Sequence, residues 1–206
     1  GGVNWEEPEK VAQSIKIMKI KHAVITSVDR DDLKDMGSII WNETIKAIRR
    51  LNPNTTLETL IPDFQGNKTN IDRIIEAAPE VVSHNLETVR RLTREVRVQA
   101  KYDKSLEVLQ YLKKMGVNRT KSGIMLGLGE KEEEIYETLH DLRNASVEVV
   151  TIGQYLQPTK KHLPVKSFIS PDTFKRYETV AKDLGFRHVE SGPLVRSSYK
   201  AHKHVN

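Results

Sequence analysis

No cysteine occurs among the 206 residues. That absence removes disulfides, zinc-thiolate clusters, thiol nucleophiles and thiolate-ligated iron clusters from what this polypeptide can build with its own side chains. No apolar run approaches the roughly 20 residues that span a bilayer, and the first residues lack the basic and apolar regions of a secretory leader. A cytosolic or organelle-matrix protein without a membrane partner is expected. Aromatic residues make up only 6% of the chain and do not interleave with its basic residues, so the high pI alone is a weak argument for nucleic acid. A glycine-rich dinucleotide loop is also missing: Gly127 and Gly129 have the right spacing, but Glu132 stands where the third glycine belongs. The acidic run 130–134 would repel a pyrophosphate.

What is present fits one substantial domain with a hydrophobic core, at 37% hydrophobic residues. The 33 Lys and Arg against 28 Asp and Glu leave a net charge of +5, which favours an acidic partner. Helical and extended patterns alternate along the chain. Residues 6–20 carry Val11, Ile15 and Met18 at helical spacing, with Pro8 suited to a helix N-terminus. Residues 22–28 read as a buried strand, 38–51 as a helix stopped by Asn52-Pro53-Asn54, and 55–61 as a strand. Helices at 70–78, 105–115, 132–142 and 171–184 alternate with strands at 81–84, 122–126 and 149–155, with a short extended piece at 188–190.

Strands every 25 to 35 residues with intervening helices imply parallel crossover units, hence an α/β sheet or barrel. Polar residues cluster where the strands end: Ser27 and Asp29, His84 and Asn85, Gln154 and Gln157. In parallel barrels that rim carries the chemistry, so a full or partial (β/α) barrel is preferred.

Each rim motif also has a plain reading. Asp31 or Asp32 suits a helix cap, with Arg30 paired to a neighbouring acid. Equally, Ser27 and Asp29 offer acceptors to an ammonium group. His84 at a strand end is more often structural than catalytic, whereas Asn85 and Glu87 suit hydrogen bonds to hydroxyls. Gly127 and Gly129 either make an ordinary turn before a helix or admit close approach of a flat ring. Gln154, Tyr155 and Gln157 either line a substrate tunnel or satisfy loop backbone. Arg196-Ser197-Ser198-Tyr199 reads by itself as a solvated tail, and His202 and His204 read as solvated.

Five segments together carry a resemblance: ITSVDRDD at 25–32, HNLET at 84–88, KSGIMLGLGE at 121–130, TIGQYLQP at 151–158 and RSSYKA at 196–201. From about Trp5 to Val205 the chain resembles the lipoyl synthases, radical S-adenosylmethionine enzymes that insert two sulfur atoms at C6 and C8 of a protein-bound octanoyl chain. The resemblance implies a partial parallel barrel, here opening on a helix with its first strand lacking. It implies S-adenosylmethionine contacts at Ser27, Asp29, Asn85, Glu87, Gly127 and Gly129, and substrate contacts at Gln154, Tyr155, Gln157 and Arg196. Ser197, with Ser198 as the fallback, would be an oxygen ligand to one iron of an auxiliary four-iron cluster that is consumed as sulfur donor; an alkoxide holds such an iron less firmly than a thiolate. The family carries two sets of three cysteines ahead of the position of Asn4. Its two four-iron clusters are therefore not expected to assemble on this cysteine-free chain, which reads as a fragment inactive alone.

The expected organisation is a cleavage scar or disordered start at 1–4, a partial-barrel core at 5–190 and a C-terminal segment at 191–206. The expected partners are octanoylated lipoyl-carrier domains. The competing reading is a non-catalytic basic module that docks acidic carrier domains.

Overall fold

The computed structural model describes all 206 residues. Six strands form one wholly parallel sheet in the order of the sequence: β1 (His22–Thr26), β2 (Thr56–Leu60), β3 (Val81–Ser83), β4 (Arg119–Leu126), β5 (Val149–Gln154) and β6 (His188–Gly192). The main helices are α1 (Glu7–Ile17), α2 (Ser38–Leu51), α3 (Lys68–Ala77), the one-turn α4 (Thr93–Val96), α5 (Tyr102–Lys114), α6 (Glu132–Asn144) and α7 (Pro171–Asp183). Helices connect all consecutive strands, and β6 does not pair with β1, so the sheet is a partial barrel.

Local chemistry sets most boundaries. Helix α2 starts after Gly37, whose φ of +81° suits a residue without Cβ, and stops at the Asn-Pro-Asn cluster. Asn67 Oδ1 accepts from the Asn70 amide to cap α3, and Ser170 Oγ accepts from the Thr173 amide to cap α7, with Pro171 in its first turn. Gly116 (φ +99°) and Gly185 (φ +97°) turn the chain after α5 and α7.

Along each strand, alternate residues face opposite sides. The outward set, including Leu57, Val82, Ile124, Val150, Ile152 and Val189, packs against the helices. Fully burying a residue such as Ile45 or Leu139 between these layers contributes about 1.5–3 kcal/mol each. The inward set is far more polar, with Glu58, Ser83, Lys121 and Thr151 all buried.

Three sequence expectations need correction here. Met18 does not join the buried face of α1: it is 64% exposed, just beyond the helix end, and the buried face is Pro8, Ala12 and Ile15. β1 is not a buried strand but an edge strand, paired on one side only, with Val24 39% exposed and Val28 beyond its end in solvent. His204 is not solvated but wholly buried, because it packs onto Lys121 and Glu190 inside the sheet's curve.

Candidate active site at the rim of the sheet

The ends of β1, β2 and β3 meet around a cavity of about 480 Å³ lined by Thr26, Ser27, Asp29, Asp63, Asn85, Glu87 and Arg97, among others. Four of the expected cofactor residues, Ser27, Asp29, Asn85 and Glu87, are therefore brought together in one place. Burial pushes the Asp29 carboxyl above its usual range, with the Asp31 and Asp63 charges adding to the effect, and burial likewise raises Glu87. Glu87 has a φ of +71°, a strained value for a side-chain-bearing residue, and is held there by its amide donating to the Gly123 carbonyl at 2.9 Å while its own carbonyl accepts from the Met125 amide. Asn85 Oδ1 is buried beside Gly123 without a hydrogen-bond partner.

Arg97 is the only Lys or Arg among the lining residues. Burial lowers its pKa against the raising influence of Glu87, Asp63 and Asp29. Its Nη2 donates to Ser105 Oγ at 2.8 Å, and Ser105 in turn meets His84 Nε2 at 2.7 Å. His84 Nδ1 donates to the Ile61 carbonyl at 2.9 Å. The Ser105 hydroxyl thus donates to Nε2 and leaves a neutral imidazole, whose pKa burial holds down to about 4. The structural reading of His84 fits this arrangement: it aims Ser105, which aims the guanidinium.

A second cavity of about 370 Å³ adjoins the first, sharing Leu60, Asn85 and Glu87 with it. Its other walls include Gly123, Met125, Thr151, Gly153, Gln154, Arg196 and Ser197. The C-terminal segment reaches this wall because Gly153 lacks a side chain: a Cβ there would sit 2.3 Å from the Val195 carbonyl oxygen. Gly153→Ala is expected to lower unfolding free energy by about 1–3 kcal/mol in denaturant titration, because either strand or C-terminal segment must shift.

The remaining expected site residues have other employment. Gly127 is closed over by Gln154 at the end of β5 and by the segment that follows, so that the Gln154 amide nitrogen and the Ser167 carbonyl oxygen would each lie 2.4 Å from a Cβ; Gly129 packs against the stem of Lys166. Neither lines a rim cavity. Gln154 touches the second cavity but spends its amide on Tyr155, Ser167 and Ile169 backbone. Tyr155 donates its hydroxyl to Leu163, and Gln157 donates to the His162 carbonyl. Arg30 pairs with Asp32 at 2.9 Å, but Asp31 and Asp32 cap no helix; Asp35 accepts from the Gly37 and Ile39 amides instead. Asp63 and Arg97 were not singled out from sequence. Asp63 follows β2 as Asp29 follows β1, so the strand-end rule reaches it, whereas Arg97 arrives from an irregular stretch after α4 and carries no such signal.

Residues 1–142 match the radical SAM superfamily model. The chain is 78% identical over 204 residues to the mitochondrial lipoyl synthase of Nematostella vectensis, covering 99% of this chain and 70% of that protein. To the lipoyl synthase of Flavobacterium johnsoniae it is 79% identical, covering 98% and 70%. The chain belongs to the lipoyl synthase family. Among solved structures, methylornithine synthase superposes with a TM-score of 0.65 at 13% identity, over 96% of this chain and 65% of that one. Coproporphyrinogen III oxidase from Escherichia coli, a radical SAM enzyme, gives 0.63 at 11% identity, over 87% and 45%. These distant likenesses concern the fold alone, and they agree with the partial barrel seen in this lipoyl synthase chain. No helix is long and apolar enough to cross a membrane.

Proposed function

We propose that the first rim cavity binds S-adenosylmethionine, that the second admits the octanoyl chain of a carrier domain, and that Ser197 acts at the second. The observation that carries this reading is that the two cavities adjoin along Leu60, Asn85 and Glu87, with Arg97 and Asp29 in one and Ser197 in the other. Radical chemistry at an unactivated carbon needs the hydrogen-abstracting group and the acyl chain side by side and away from water.

The polar inventory of the first cavity suits that ligand. Arg97, held by Ser105 and the Leu86 carbonyl, presents a fixed cation to the methionyl carboxylate. Asp29 and Ser27 are acceptors for its ammonium, and Asn85 with Glu87 for the ribose hydroxyls. S-adenosylmethionine supplies, when bound, the hydrogen-abstracting group of the reaction, while the chain positions it and excludes solvent. Iron clusters fit this chain less well. With no cysteine, it supplies no thiolate, and Ser197 is the one ligand the family resemblance offers in this chain, so no step is derived through a cluster. The octanoylated carrier domain is the proposed partner, its acidic surface complementary to the net charge of +5.

Calorimetric titration with S-adenosylmethionine tests the assignment. The chain should bind saturably, and Arg97→Met should weaken binding about tenfold or more through loss of a charged hydrogen bond in a half-buried site. Equal affinity of the two proteins, or no saturable binding by either, contradicts the proposal.

A further inference from the structure

The interior of the sheet below the rim holds a line of charge that the proposed reaction does not use. On β2, Glu58 is 1% exposed; on β4, Lys121 is wholly buried; and His204, from the last residues of the chain, is wholly buried between Lys121 and β6. Lys121 Nζ donates to Glu58 Oε1 at 3.0 Å and to His204 Nδ1 at 3.0 Å, and His204 Nε2 faces Glu190 Oε1 at 3.3 Å. Donor and acceptor roles agree all along the line only if His204 is neutral, accepting at Nδ1 and donating from Nε2. Burial and then the Lys121 charge hold its pKa down to about 3, in keeping with that state.

The segment from Val195 to His204 therefore has two fixed ends. At the upper end, the Val195 carbonyl lies over Gly153 and Ser197 enters the second cavity. At the lower end, His204 is tied to β4 and β6, its ring centroid 5.6 Å from that of His188, while the turn at Ala201–Lys203 packs on β1. Between them the chain makes successive tight turns, with the Tyr199, Ala201 and Lys203 amides each donating to a carbonyl three or so residues back and Lys200 at a φ of +50°. Arg119 and Arg187 both donate to the Asn206 carbonyl, adding to the anchorage. The segment thus lies across the seam where β6 and β1 fail to pair, and little slack remains between anchor and serine.

We propose that His204, gripped by Lys121 and Glu190, is a positioning residue that sets where Ser197 stands at the mouth of the second cavity. The inference rests on the reading of Ser197 as a working residue of the site. What matters is the polarity of the histidine, not its bulk: an acceptor toward Lys121 and a donor toward Glu190. A glutamine can reproduce both bonds, whereas a phenylalanine of similar volume can reproduce neither.

Because the chain has no cysteine, Ser198→Cys and Glu133→Cys, both at exposed positions, give two specific spin-label sites on the segment and on α6. Pulsed electron-electron dipolar distances are then compared in the parent pair, His204→Gln, His204→Phe and Glu190→Leu. The expected result is one narrow distribution in the parent and in His204→Gln, and a clearly broadened one in His204→Phe and Glu190→Leu. Amides of residues 195–201 in those two broadened variants should exchange with deuterium about tenfold faster, the effect of losing a charge-assisted hydrogen bond that closes a local opening. Glu190→Leu, at a partly exposed site, keeps the test available where the phenylalanine prevents folding. A distribution that stays narrow with phenylalanine or Glu190→Leu overturns the inference, as does one that broadens equally with glutamine. Such a failure leaves the role of Ser197 standing, since that role is read from the products of Ser197→Ala and not from a distance.

Discussion

Lys121→Met should lower the unfolding free energy by about 3–5 kcal/mol in denaturant titration at neutral pH, because it strands the buried Glu58 carboxylate without its cation. The pair is the least exposed ion pair in the chain, with side-chain exposures of 0% and 1%, and Glu58 Oε2 already lacks a partner. The double variant Glu58→Leu/Lys121→Met, which removes both charges, should recover the part of the loss due to the stranded carboxylate, leaving about 1–3 kcal/mol for the His204 Nδ1 acceptor that Lys121 no longer meets. The deficit should also depend on pH in a definite direction. Burial raises the Glu58 pKa above its ordinary 4.5, and Lys121 opposes that rise. A carboxyl with a raised folded pKa contributes stability that is present below the unfolded value and lost as pH climbs through the folded one. Removing Lys121 moves that folded value higher still. The deficit of Lys121→Met relative to the parent should therefore be small near pH 4.5 and grow toward pH 8; a deficit that does not change over this interval would contradict the ion-pair account.

The parts legible in the sequence are those governed by local rules. The helix over 38–51 falls where the periodic apolar residues and the Asn-Pro-Asn stop place it, and the alternation of strands and helices leads to the parallel partial barrel without any knowledge of contacts. Ser27, Asp29, Asn85 and Glu87 were recognisable for a topological reason: in a parallel sheet every strand ends at the same rim, so residues following β1 and β3 are neighbours despite lying some sixty positions apart. Sequence reasoning fails where the deciding partner is distant and irregular. Gly127 looks free to admit a ligand, but the loop before α7 folds back and places Ser167 there. Arg97 enters the cavity from a connection with no strand end to mark it. His204 reads as a solvated tail residue until Lys121 and Glu190 are seen to receive it, and neither lies near it in a periodic pattern.

These failures share a direction. Residues at the strand ends can be placed together from sequence, while the elements that hold the rim in shape cannot: the loop over Gly127, the Ser105–His84 pair behind Arg97, and the anchor below Ser197. Strand-end position marks where chemistry can occur. The side chains that fix its geometry are set by tertiary contacts, and they carry no short-range signature.

On the proposed reading the two adjoining cavities divide the work, with cofactor activation in the first and product formation at Ser197 in the second. The most direct measurement uses the full-length Flavobacterium johnsoniae lipoyl synthase with this chain in place of the 203 residues it matches, the two being 79% identical over that stretch. Cleavage of S-adenosylmethionine and formation of lipoyl product on an octanoylated carrier are followed by mass spectrometry in parent and Ser197→Ala proteins. Loss of the Ser197 hydroxyl from the cavity where the product is proposed to form should reduce lipoyl product about a hundredfold or more. Cleavage of S-adenosylmethionine should remain within about threefold of the parent, because no cofactor contact in the first cavity has changed. Equal loss of both activities, or full product formation without the Ser197 hydroxyl, would contradict the division of labour.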